Sequence, residues 1–85
     1  MAWFQKPGAK VGKLSPTRSK FFRHGDLISL LGTEPVFLPL MNDDVVVCRN
    51  DYMNPALGRN DIASTSLNKP IHGPALVVEL QELEP

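Results

Sequence analysis

Pro35-Val36-Phe37-Leu38-Pro39-Leu40-Met41-Asn42-Asp43-Asp44-Val45-Val46-Val47-Cys48-Arg49 decides the fold. Val45 to Arg49 opens on three β-branched residues and is bounded by turn residues, the clearest strand signal in the chain. Asn42-Asp43-Asp44 is turn chemistry, because short polar side chains bond their own backbone and tolerate left-handed conformations. Leu38 to Arg49 is therefore expected to form a hairpin around Met41 to Asp44. Pro35 and Pro39 cannot donate to a ladder, so Val36 to Leu40 is expected at a sheet edge.

Outward from this hairpin, the C-terminal side continues the pattern. Asn50 to Arg59 reads as a loop, punctuated by Asn-Asp, Asn-Pro and Leu-Gly. Asn60 is placed to cap a short helix over 61–67, with Asp61 favourable near its N-terminus. Ile62, Ala63 and Leu67 are expected inward. Asn68-Lys69-Pro70 stops the helix, and His72-Gly73-Pro74 turns the chain. Ala75 to Leu80 reads as the last strand, and Gln81 to Pro85 as a frayed acidic tail. On the N-terminal side, Leu27 to Leu31 is a strand candidate that Gly32 ends. A short buried helix is the alternative, since periodicity over five residues does not separate the two.

The chain has 85 residues and a net charge of zero, which hides a division. Residues 1–24 hold Lys6, Lys10, Lys13, Arg18, Lys20 and Arg23 and no acid. Residues 25–85 hold Arg49, Arg59 and Lys69 against all nine acidic residues. Such asymmetry points to a basic segment that meets something acidic. Pro7, Gly8, Gly12 and Pro16 punctuate the basic part, which is expected to be an extended arm. Its bulkiest apolar residues come in pairs, Trp3-Phe4 and Phe21-Phe22, and are expected to dock on the body or on a partner. Two regions follow: a basic extended arm over 1–24 and a small β-rich domain over 25–85. The expected fold is α+β, mostly β: about four strands with one short helix and an extended N-terminal arm. Whether the sheet closes into a barrel is not legible in the sequence.

Residues 60–78 carry a further pattern: Asn60-Asp61-Ile62-Ala63-Ser64, then Leu67, then Pro70-Ile71-His72-Gly73-Pro74-Ala75-Leu76-Val77-Val78. It resembles the C-terminal signature of an uncharacterised domain family found in phages, large viruses and mobile elements. There a strand is followed by Asn, two residues and Ala-Ser or Ala-Thr, then by an Ile-x-Gly turn into a Val-rich strand. The resemblance covers about 37–78. It departs at Tyr52 to Arg59, which replaces a simple Leu-Pro approach to the Asn, and residues 1–24 have no counterpart. The resemblance implies a viral or mobile-element setting and no reaction. The residues themselves read structurally: a cap at Asn60, close helix–sheet approach at Ala63, and backbone freedom at Gly73.

Catalytic constellations are weak. His24 and Asp26 flank Gly25, and an imidazole near a carboxylate can serve acid–base chemistry, yet the pair also suits a polar turn. Cys48 shares a strand face with Val46 and reads as a buried thiol, not a nucleophile. A Cys48–His72 pair has no support. One cysteine and two histidines without close spacing make no zinc site, and Asp43, Asp44 and Asp51 lack the spacing of a calcium loop. The lysines near Gly8 and Gly12 fit no phosphate-binding fingerprint. No enzyme activity, cofactor, metal or small-molecule substrate is expected. Met1 to Lys20 lacks the apolar stretch of a signal peptide, and no apolar run is long enough for a membrane span. With a single cysteine, a cytoplasmic setting is expected.

The candidate binding residues are therefore Trp3, Phe4, Lys6, Lys10, Lys13, Arg18, Lys20, Phe21, Phe22 and Arg23. The expected role is that of an accessory protein docking through them onto a larger protein assembly. The alternative partner is nucleic acid, with cations on phosphates and aromatics on bases.

Overall fold

The computed structural model describes residues 2–16 and 21–84. Five strands form one open antiparallel sheet: β1 (Ala2–Gln5), β2 (Gly12–Leu14), β3 (Pro35–Pro39), β4 (Asp44–Arg49) and β5 (Ala75–Glu79), in the order β2-β1-β5-β4-β3. Helix α1 (His24–Leu31) precedes β3, and α2 (Asp61–Leu67) precedes β5. The small, mostly β architecture agrees with expectation. The sheet has five strands where four were expected and two helices where one was expected, and it is open, not a barrel.

β4 explains why the central run reads as continuous apolar sequence. Val45 and Val47 face one core, with Ala2, Phe22, Leu27, Leu31, Leu76 and Val78. Val46 and Cys48 face the other, with Ala63, Ile71 and Ala75. Helix α1 lies against the first face and α2 against the second. A strand covered on both faces needs no polar alternation. The hairpin between β3 and β4 forms as the sequence indicates, with Val36 opposite Cys48 and Leu38 opposite Val46. Its turn places Asn42 and Asp43 both at φ 63°. Two consecutive left-handed residues make the type I′ turn that suits the twist of a tight hairpin, and its second position favours glycine. Asp43→Gly is expected to stabilise the protein by about 0.5–1 kcal/mol, read as a higher thermal midpoint.

α1 corrects the strand expected over Leu27 to Leu31. The Asp26 carboxylate accepts the Arg23 N–H at 3.0 Å and caps the first turn. Gly32, at φ 84°, ends the helix. Leu27 and Leu31, one helical turn apart, are both buried, and Leu30 packs beside them. That spacing is the helical stripe, which five residues alone do not display.

The largest correction concerns residues 1–24. Residues 2–14 form a hairpin built into the sheet, not an extended arm. β1 lies between β2 and β5, with Trp3 opposite both Lys13 and Val77. Pro7 and Gly8, taken as interruptions, make the turn: the Ala9 N–H donates to the Lys6 carbonyl at 3.0 Å, and Gly8 sits at φ 75°. Pro at the second and Gly at the third position suit a type II turn. The chain then returns to the body at Phe22, which is buried, pairs with Leu83 and donates its N–H to the Glu82 carbonyl at 2.7 Å. The boundary expected at residue 24 thus has no structural counterpart, since β1 is an interior strand. The closing segment is also ordered, as a short turn over Leu80–Glu82.

Candidate functional site

Pairing of charge separates the hairpin from the rest of the molecule. Arg49 meets Asp51 through two hydrogen bonds of 2.9 and 3.0 Å. Its guanidinium holds the Asp51 carboxyl below the usual carboxylate range, chiefly through those bonds. Arg23 lies 3.4 Å from Glu84, Arg59 3.5 Å from Asp61, and His24 2.9 Å from Glu34. Lys69 rests over the Tyr52 ring. The body thus matches its arginines with its own acids. Residues 2–16 carry Lys6, Lys10 and Lys13 and no acid. None of the three has a carboxylate partner among the described residues.

The hairpin arranges these cations around apolar surface. On one face, the Lys13 ammonium stands 5.3 Å from the Trp3 ring centre, and Trp3 stays 36% exposed. Such a contact holds both side chains in place without neutralising the charge. Across the hairpin, Phe4, Ala9, Gly12 and Leu14 line a shallow trough of about 270 Å³, and Lys6, Lys10 and Lys13 complete its lining. Gly12 contributes to the hollow directly: a Cβ there would meet nothing within 4 Å.

The candidate residues separate in space. Trp3, Phe4, Lys6, Lys10 and Lys13 come together on the hairpin. Phe22 belongs to the core and is not a docking residue. Phe21 is exposed, and Arg23 sits before α1 with Glu84; both lie on the segment that re-enters the body. Arg18 and Lys20 lie outside the described residues. Val11, 40% exposed beside β2, escaped notice in the sequence because it stands alone between Lys10 and Gly12.

The other chemical candidates have structural occupations. His24 binds Glu34, while Asp26 caps α1. The His72 Nδ1 meets the Tyr52 carbonyl at 2.9 Å. A carbonyl only accepts, so Nδ1 carries the proton. Cys48 is fully buried, and burial pushes its thiol from 9.0 up to about 11, with Lys69 pulling slightly the other way. Cys48 is expected to resist a thiol reagent at neutral pH until the protein unfolds. A raised folded value means the unfolded thiol ionises first. The associated stability is complete below pH 9.0 and lost as pH rises towards about 11. Cys48→Ala should remove that part of the alkaline decline in melting temperature. No group of three His, Cys, Asp or Glu residues stands together as a metal site among the described residues, and no helix there is long and apolar enough to cross a membrane.

No family model, curated protein or solved structure matches the chain.

Proposed function

We propose that the protein is a non-enzymatic interaction module that docks through its β1–β2 hairpin onto an acidic surface of a larger protein assembly. One observation carries this: the described arginines are matched within the fold, while Lys6, Lys10 and Lys13, on the β1–β2 hairpin that carries Trp3, have no carboxylate partner among the described residues. An uncompensated cluster costs some self-repulsion, which an acidic partner relieves on binding. Trp3 supplies the aromatic anchor that such interfaces concentrate energy in, and the lysines supply steering. Protein is favoured over nucleic acid because the rest of the molecule is acidic, so a polyanion meets attraction only at the hairpin. The setting in a phage, large virus or mobile element, and a cytoplasmic location, are part of the same proposal. The setting rests on the resemblance over residues 37–78, and the location on the single cysteine.

The test compares the wild type with a Lys6→Glu/Lys10→Glu/Lys13→Glu variant whose circular dichroism and melting are first shown to be intact. Each is used to recover partners from host extract, with and without nuclease treatment. The proposal expects an acidic protein retained by the wild type and lost by the variant. Recovery that depends on intact nucleic acid supports the nucleic-acid alternative, and equal recovery by both proteins removes the hairpin from function.

A further inference from the structure

The two edges of the sheet are chemically unlike. Just past β3, the Leu40 N–H reaches back to the Asp44 carbonyl at 2.7 Å. Backbone direction alternates along an antiparallel strand. The even-numbered residues of β3 therefore aim at β4, and Pro35, Phe37 and Pro39 face outward. Two of those three lack an N–H, so this edge is closed to another strand.

The same alternation can be followed to β2. The Leu80 N–H donates to the Asp43 carbonyl at 2.8 Å, which directs Leu76 and Val78 towards β4 and Ala75 and Val77 towards β1. Trp3 and Gln5 then aim at β5, and Ala2 and Phe4 aim at Leu14 and Gly12. Lys13 is left with its N–H and carbonyl pointing out of the sheet, between the outward groups of Val11 and Ser15. No described hydrogen bond uses these three N–H groups. One edge is blocked by proline, and among the described residues the other is open.

Side-chain chemistry sets what the open edge accepts. A second copy paired antiparallel about Lys13 would set the two Lys13 side chains directly opposite each other, so that self-pairing is opposed. A partner residue opposite Lys13 shares the Lys13–Trp3 face, where a carboxylate reaches an unmatched ammonium. Partner residues opposite Gly12 and Leu14 fall on the other face, over the trough that Gly12 leaves open, where apolar side chains fit. From these features we infer that β2 accepts an extended partner segment of alternating acidic and apolar residues as a sixth, antiparallel strand. This rests on the docking role proposed above and specifies the partner's form: a strand whose backbone is bound, not only a negative surface.

The probe is a synthetic peptide of alternating glutamate and valine, titrated into the intact protein and followed by amide resonances and exchange. Binding is expected to slow exchange at Lys13 and its outward neighbours. A peptide of the same sequence, N-methylated at alternate residues, keeps its charge and loses its donors. It should bind at least about tenfold more weakly. Lys13→Pro removes the outward N–H without touching the ladder to β1, and should weaken the parent peptide well beyond Lys13→Ala, which removes the same charge and keeps the N–H. Strand addition is overturned if the N-methylated peptide binds as tightly as its parent, if folded Lys13→Pro binds as Lys13→Ala does, or if the parent does not bind at millimolar concentration. Loss of backbone dependence with retained sensitivity to the triple lysine-to-glutamate change would leave electrostatic docking standing. Insensitivity to both would remove that role as well.

Discussion

A chain that begins at Gly25 will not fold. Charge and punctuation suggest that residues 1–24 are an arm outside the domain, but the sheet is built through them. Removing them takes away both β1 and β2 and leaves the edge of β5 that faced β1 unpaired. It also removes Ala2 and Phe22 from the first core, where both are buried. Loss of a buried phenylalanine side chain alone costs about 3–5 kcal/mol. A domain of this size has only about 5–15 kcal/mol in total. Add the lost ladder and the margin is gone. The truncated chain should show no cooperative thermal transition and little dispersion of amide resonances, while the full chain melts in one step.

Asn60→Ala is expected to destabilise by about 4 kcal/mol, because it strands three buried partners. The Asn60 side-chain oxygen accepts the Ala63 N–H at 3.0 Å, and its Nδ2 donates to the carbonyls of Gln5 and Gly73, each at 2.9 Å. One buried amide therefore caps α2, holds the end of β1 and fixes the turn into β5. Its neighbours extend the network. The Gln5 side chain accepts the Ile62 N–H and donates to the Ala9 carbonyl, and the Ser64 hydroxyl exchanges hydrogen bonds with Ile71. Urea unfolding should show a lower midpoint with an unchanged slope. Asn60→Asp offers a control of sign. Two carbonyls would face a carboxylate, so its folded-state pKa would rise above the unfolded value. That variant should gain stability as pH falls, because the neutral acid can again donate. A loss below about 1 kcal/mol for Asn60→Ala would mean that water or rearrangement satisfies the stranded groups.

These expectations show where sequence carries information. Asn60, the hairpin over Leu38 to Arg49 and the last strand were legible because each signal is local: a cap residue before a helix, turn residues between β-branched runs. The role of Asn60 as more than a cap was not. Its amide donors reach Gln5, far away in the chain, and no local pattern encodes that distance. The N-terminal hairpin was misread for another reason. Pro7-Gly8 favours a turn as much as it breaks a helix, and strands of four and three residues offer too few positions for alternation to show. Of the candidate site, the cations were visible as a run without acids. Which of them stay unmatched depended on where Glu84, Glu34, Asp51 and Asp61 lie in space. The open edge at Lys13 depended on strand order and ladder direction, which follow only from the assembled sheet.

Amide hydrogen exchange of the free protein, resolved by residue, tests the central claim most directly: that the basic segment is an interior part of the sheet with one open edge. Trp3 and Gln5 should exchange as slowly as the amides of β4 and β5, opening only with global unfolding. Lys13, next to them on β2, should exchange at close to the unfolded-chain rate because its N–H faces solvent. Fast exchange at Trp3 and Gln5 would contradict the claim and restore a detached arm; strong protection at Lys13 in the free protein would close the edge on which docking depends.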